Sequence, residues 1–218
     1  MRIVLISDTH NQLSKVKVPD GDLLIHAGDS TGLGTTREMI DFSKQLRALP
    51  HPIKIFVPGN HDWLFERNLS HANEILGKDV HVLVDQEIVV EGIRIFGSPW
   101  TPRFYNWAFN LDRGEPLRNK WERIPEGVDV LVTHGPPYGI LDRTKSGEHV
   151  GCEELRRELH RIMPKLHVFG HIHQSYGAHR EAETSYINAC ICDENYRPLH
   201  APLVVQFDPE TRSFLPEA

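Results

Sequence analysis

The chain has 218 residues, of which 14 are histidine and only 3 are cysteine, at positions 152, 190 and 192. So sparse and odd a set of thiols excludes a disulfide framework and a Cys-rich zinc module, which leaves imidazoles and carboxylates to carry any metal chemistry. The formal net charge of -6, with no cluster of Lys and Arg, argues against a surface that grips long nucleic acid through its phosphates.

From the N-terminus, Met1-Arg2 leads straight into the strand-like Ile3-Val4-Leu5-Ile6 and not into a secretory core of roughly 7 to 15 apolar residues. No run approaches the ~20 apolar residues of a membrane span, so a cytoplasmic setting without a membrane partner is expected. Arg2 to Ser7, Leu23 to Ala27, Ile53 to Val57, Val80 to Val84, Val128 to Val132 and Leu166 to Phe169 read as buried strands, being short and rich in Val, Ile and Leu. Met39, Phe42, Leu46 and Leu49 fall at helical spacing between Thr35 and Leu49, as do Cys152, Leu155, Leu159 and Ile162. Glu91-Gly92 separates two alternating runs, Glu87 to Val90 and Ile93 to Phe96, as a two-residue hairpin turn does. Tyr186 to Cys192 and Leu203 to Phe207 are expected as late strands. Strands alternating with helices indicate α/β architecture, and the hairpin and late strands make the sheet mixed. With no linker or low-complexity run, residues 1–218 read as one domain.

The residues just past the strands form the informative pattern. The first strand is followed by Asp8-Thr9-His10, the second by Gly28-Asp29, and the third by Gly59-Asn60-His61-Asp62; Thr133-His134-Gly135 and Gly170-His171-Ile172-His173 come after the last two of the six. Five strand ends thus carry metal-ligand residue types, in a fold class that gathers ligands beyond the carboxyl ends of strands. Each piece alone has a plainer reading: Asp8 as a turn or helix cap, Gly28-Asp29 as an everyday turn. His171 and His173 point to one side of an extended chain because side chains alternate. Two Asp, one Asn and four His make a set without thiolate, better suited to Mn, Fe, Zn or Co than to a closed structural zinc.

These blocks, in this order, resemble the calcineurin-like metallophosphoesterases, whose pattern is Asp-x-His, Gly-Asp, Gly-Asn-His-Asp or Glu, a lone His, and Gly-His-x-His. The stretches Pro102 to Asn110, His134 to Asp142 and Lys165 to His173 are similar to the metallophosphoesterase-domain-containing branch. Some members of that branch lack the first His of the last block, which is present here as His171. The resemblance implies a four-layer α/β/β/α sandwich of two mixed sheets flanked by helices, and two transition-metal ions: Mn, with Fe, Zn, Co and Ni as further candidates. It implies Asp8, His10, Asp29 and His173 around the first ion and Asp29, Asn60, His134 and His171 around the second, with Asp29 bridging.

The reaction so implied is hydrolysis of a small phosphoester, in particular a nucleotide-type phosphodiester, by a hydroxide held between the ions. His61 is expected to protonate the leaving oxygen and Asp62 to orient that ring; as a plainer alternative, Asp62 caps a helix over Trp63 to Arg67. Trp100, Phe104, Tyr105, Trp107 and Phe109 either stack on a base or pack as core, with Tyr138 at the rim, and Arg103, Arg113 and Arg143 either reach a phosphate or are solvated surface groups. Cys190 and Cys192 read as two small buried hydrophobes, and His26 as a core histidine or a support for the site. A phosphoprotein phosphatase is disfavoured because Gly28-Asp29-Ser30-Thr31-Gly32-Leu33-Gly34 lacks the Arg of that branch. A binding module with little turnover is the alternative from another class, and the intact ligand set counts against it.

Overall fold

Short apolar runs alternating with amphipathic stretches build two six-stranded sheets in the computed structural model, which describes residues 1–217. The strands are β1 (Arg2–Ile6), β2 (Leu23–His26), β3 (Ile53–Phe56), β4 (His81–Val82), β5 (Gln86–Val90), β6 (Ile93–Ser98), β7 (Thr101–Pro102), β8 (Asn110–Leu111), β9 (Val130–Thr133), β10 (Leu166–Phe169), β11 (Gly177–Glu181), β12 (Thr184–Asn188), β13 (Leu203–Asp208) and β14 (Ser213–Pro216). The helices are α1 (Thr36–Ala48), α2 (Trp63–Arg67), α3 (Leu69–Leu76), α4 (Glu115–Trp121) and α5 (Glu153–Ile162). One sheet has the order β14-β13-β1-β2-β3-β4 and the other β11-β12-β10-β9-β6-β5, and a third pairing joins only β7 and β8. The first sheet is parallel from β1 through β4 and antiparallel at its other flank, through β13 and β14, and the second is parallel at its centre and antiparallel at both edges, through β5 and β11.

The layers follow from the period of two. Ile3 and Leu5 of β1 point into a core between the sheets, shared with Val130, Val132 and Val168. Val4 and Ile6 point the other way, onto Met39, Phe42 and Leu46 of α1 and Ala72 and Leu76 of α3. A strand covered on both faces reads as an unbroken apolar run, and each such side chain contributes about 1.5 to 3 kcal/mol by leaving water. On the far side, Leu131 and Phe169 pack against Leu117 and Trp121 of α4 and Leu155 and Leu159 of α5. The order is therefore helix, sheet, sheet, helix, the four-layer mixed α/β sandwich expected. No helix among the described residues is long and apolar enough to cross a membrane.

Local chemistry sets the boundaries. Thr35 accepts from the Glu38 amide while Glu38 accepts from the Thr35 amide, a reciprocal cap that starts α1. The helix ends at Ala48, one residue before the expected limit, because Leu49 precedes Pro50 and is extended, as a residue before proline tends to be. Glu91 and Gly92 both take positive φ, as the tight hairpin requires. Three expected strands are redrawn. Val80 to Val84 shortens to β4, which pairs only with Ile55 and Phe56 at the end of β3. Val128 to Val132 becomes β9, starting at Val130 and running on through Thr133. Tyr186 to Cys192 stops at Asn188, where β10 runs out of partners; the chain then crosses to the first sheet, Cys190 bridging to Ser7.

Candidate metal centre

Parallel pairing within each sheet brings strand ends to a common edge, and the loops beyond them continue the pairing. The Asp8 amide donates to the Gly28 carbonyl at 2.8 Å and the His10 amide to the Asp29 carbonyl at 3.0 Å. Asp8, His10, Asp29 and His171 all take positive φ, of 52°, 38°, 54° and 69°, a conformation that costs on the order of 1 to 3 kcal/mol per residue and persists only where surrounding structure imposes it. Gly28, at φ 104°, lets the loops close: a Cβ there would lie 2.5 Å from His134 Nδ1 and 2.8 Å from Gly59 Cα. Gly28→Ala is therefore expected to destabilise the fold by about 1 to 3 kcal/mol and to weaken metal uptake, read by urea melts and metal titration. A variant matching the parent in both would show that this close approach is dispensable.

The structure brings all seven expected ligands together. His173 Nε2 lies 3.3 Å from Asp8 Oδ1 and 3.3 Å from His10 Nε2; His10 Nε2 is 3.9 Å from Asp8 Oδ1 and 3.8 Å from Asp29 Oδ2. Across Asp29, His134 Nε2 is 3.3 Å from Oδ2 and 2.9 Å from Asn60 Oδ1, and His171 completes a group whose ligand atoms with Asp29 and His134 lie within 4.8 Å of one another. Asp29 belongs to both sets. Three rings are oriented identically: Nδ1 of His10, His134 and His173 donates to the carbonyls of Thr31, Ala27 and Asp193 at 3.2, 2.9 and 2.8 Å. Each Nε2 is thereby turned inward, the outer hydrogen bond fixing tautomer and direction as it does for metal-ligating histidines.

Electrostatics agree with a cation site. Burial alone would raise both carboxylates, yet neighbouring imidazoles, His173 at Asp8 and His134 at Asp29, hold them below their ordinary range. Burial likewise opposes the imidazolium of His134 and of His173, but Asp29 and Asp8 respectively prevail and raise each to about 9. His10 and His171 are pushed down, mainly by burial, to about 4 and about 3, so they offer free electron pairs, the form a metal requires. The protons of His134 and His173 supply the positive charge among these inward-facing donors, and a bound cation would take their place at the same nitrogens. This donor set fits two cations.

His61 and Asp62 sit differently from expectation in one respect. His61 Nδ1 donates to the Gly32 carbonyl at 2.6 Å, and its Nε2 lies 4.0 Å from Asp29 Oδ2. Asp62 does not orient that ring, and its side chain does not cap α2. Its buried carboxylate instead accepts from the amides of Gly59, Ser30 and Thr31 and from both hydroxyls of Ser30 and Thr31 at 2.8 to 3.3 Å. Asp62 thus ties the Asp29 loop to the Asn60 loop. Burial, then Asp29, raises its pKa. His26, fully buried, accepts from the Gly28 amide and bonds the Thr9 hydroxyl, bracing both loops from inside.

The aromatic stretch divides. Trp100 and Phe109 pack among the core clusters, whereas Phe104, Tyr105 and Trp107 line a cavity of about 440 Å³ opening on Asp29, Asn60, His61 and His171. Trp107 stacks on His61 with centroids 4.1 Å apart. Tyr196, unremarked in the sequence, lines the same cavity with its ring 4.5 Å from that of His10; nothing short of the fold links position 196 to position 10. Arg103 and Arg113 line an adjoining cleft of about 750 Å³ that shares Phe104, His171 and Gln174 with the first. Both are already paired, with Asp112 and Glu153. Tyr138 packs near His149, and Arg143 is exposed. Cys190, expected as a plain hydrophobe, places Sγ 3.0 Å from Asp8 Oδ2.

Residues 1–175 match the family model described as Calcineurin-like phosphoesterase. The chain is 42% identical over 229 residues to Metallophosphoesterase domain-containing protein 1 of Homo sapiens, covering 94% of this chain and 70% of that protein. It is 36% identical to a UPF0046 protein of Caenorhabditis elegans, over 98% of this chain and 77% of that protein. One solved crystal structure is similar in fold, with a TM-score of 0.70 at 16% identity, covering 99% of this chain and 98% of that one.

Proposed function

Because this chain belongs to the calcineurin-like phosphoesterase family, we propose that it is a metal-dependent phosphodiesterase acting on a small, nucleotide-sized phosphodiester, with residues 1–218 working as one domain. The observation that carries this reading is the convergence of seven donors with three imidazoles locked Nε2-inward. Asp8, His10, Asp29 and His173 would hold one ion and Asp29, Asn60, His134 and His171 the other. Bound there, Mn, Fe, Zn, Co or Ni supplies Lewis acidity toward phosphoryl oxygens and a water ionised near neutral pH.

His61 is the proton donor in this reading. Its Nδ1 proton is engaged by the Gly32 carbonyl, so Nε2, which faces the opening, is the atom that passes a proton to the departing oxygen. Asp62 acts on Asp29 and Asn60 by clamping their loops. Two contiguous cavities that meet at His171 give room for two substituents on one phosphorus, which favours a diester over a monoester. The test is to measure the metal content of purified protein and assay the Mn-loaded form on phosphomonoesters, aryl diesters and cyclic nucleotides, with His171→Ala as control. Hydrolysis of diesters ahead of monoesters, lost in the control, is the expected result. No hydrolysis above that control would refute the enzyme, and preference for monoesters would refute the diester assignment.

A further inference from the structure

We propose that Cys190 is a positioning residue of the metal centre: its S–H, together with the Ser7 hydroxyl, secures one oxygen of Asp8 so that only the other is presented to a cation. This rests on the metal-centre reading above. The two oxygens of Asp8 have different surroundings. Oδ2 accepts from Ser7 Oγ at 2.6 Å and from Cys190 Sγ at 3.0 Å. Oδ1 faces the inward nitrogens of His173 and His10, at 3.3 and 3.9 Å, and the His171 amide donates to both oxygens at 3.1 and 3.0 Å. Because a thiol is protonated by default at neutral pH, the contact with Oδ2 is a donated hydrogen bond.

The thiol is held there by the crossing between sheets. Cys190 bridges to Ser7, its own amide donates to Asn188 Oδ1 at 3.1 Å, and the next amide, of Ile191, donates to the Ser7 carbonyl at 2.9 Å. It is fully buried. Gly170 lets the backbone approach this pinned oxygen closely, since a Cβ there would overlap Asp8 Oδ2 and Ser7 Oγ. A carboxylate pinned at one oxygen binds through the other, and the outer contacts that pin a ligand typically govern affinity by about 10- to 100-fold.

The rival geometry is that Cys190 ligates directly, since its sulfur lies with Asp8 and His173 in one group of potential donors. Metal affinity of wild type, Cys190→Ala and Cys190→Ser, measured by competition with a chromophoric chelator, separates the two when combined with ultraviolet absorption of the Cd-loaded wild type. Cys190→Ala should bind about 10- to 100-fold more weakly, Cys190→Ser should stay near wild type because a hydroxyl also donates, and no thiolate-to-metal band should appear. Equal affinity in all three proteins, a serine variant as weak as the alanine one, or a thiolate-to-metal band in the wild type would each overturn the proposal. The band needs no variant to fold. A wild type that takes up no metal would instead fail the metal-centre reading itself, before any comparison of variants.

Discussion

Asp29→Asn should lower kcat/KM of the metal-loaded protein by about 10³-fold or more, with a deficit in bound metal. The substitution keeps shape and can keep the hydrogen bond that Oδ1 accepts from the His61 amide at 2.8 Å, so what it removes is charge. Asp29 Oδ2 lies within 4.0 Å of His10, His61 and His134 at once, and no other carboxylate among the expected ligands touches both halves of the centre. Without it, Asp8 would be the one carboxylate left among the proposed ligands to offset the charge of any bound cations. Losing the several kcal/mol that a correctly held metal contributes at the transition state, at about 1.4 kcal/mol per tenfold, gives the expected factor. Metal content by mass spectrometry and steady-state rates check it together; a variant with full metal and a near-normal rate would remove Asp29 from the bridging position.

His61→Gln should lower turnover of a diester with a poor, alkoxide-type leaving group by on the order of 10²-fold or more, and that of a nitrophenyl diester far less, because a good leaving group departs without a proton. Metal content should be unchanged. The ring is well placed to donate that proton, since the Gly32 carbonyl fixes one nitrogen, Trp107 covers a face, and Nε2 projects toward the cavity. If both substrates slow equally and metal is lost, His61 is a ligand, as its proximity to His10 and Asp29 would then explain. Unchanged turnover of the poor-leaving-group ester would discard the proton-donor assignment.

Much of the fold was legible because its signals are local. Val4 and Ile6 alternate with Ile3 and Leu5 whether or not the sheet exists, and a run apolar on both faces reads as a central strand. Thr35 and Glu38 announce the start of α1 three residues apart. The errors fall where a strand's length depends on its neighbour: β4 and β12 stop where β3 and β10 stop, which no pattern within positions 80 to 84 or 186 to 192 encodes. At the site, the same division holds. Asp8, His10, Asp29, Asn60, His134, His171 and His173 could be singled out because residue types able to hold a metal stand at strand ends, and strand ends are visible as the points where apolar runs give way to Gly, Asp and His.

By itself, then, the sequence determined which side chains are available and at which end of each strand they stand, because hydrophobic period and turn chemistry act over a few residues. Tertiary structure decided what each side chain touches. Asp62 follows His61 directly, yet its carboxylate serves Ser30, Thr31 and Gly59 while the His61 ring is held by Gly32. Cys190 meets Asp8 across 182 positions of chain. Partners of this kind are set by which loops the two sheets place edge to edge, and a hydrogen bond a few ångströms long forms wherever that packing brings donor to acceptor, at any separation along the chain.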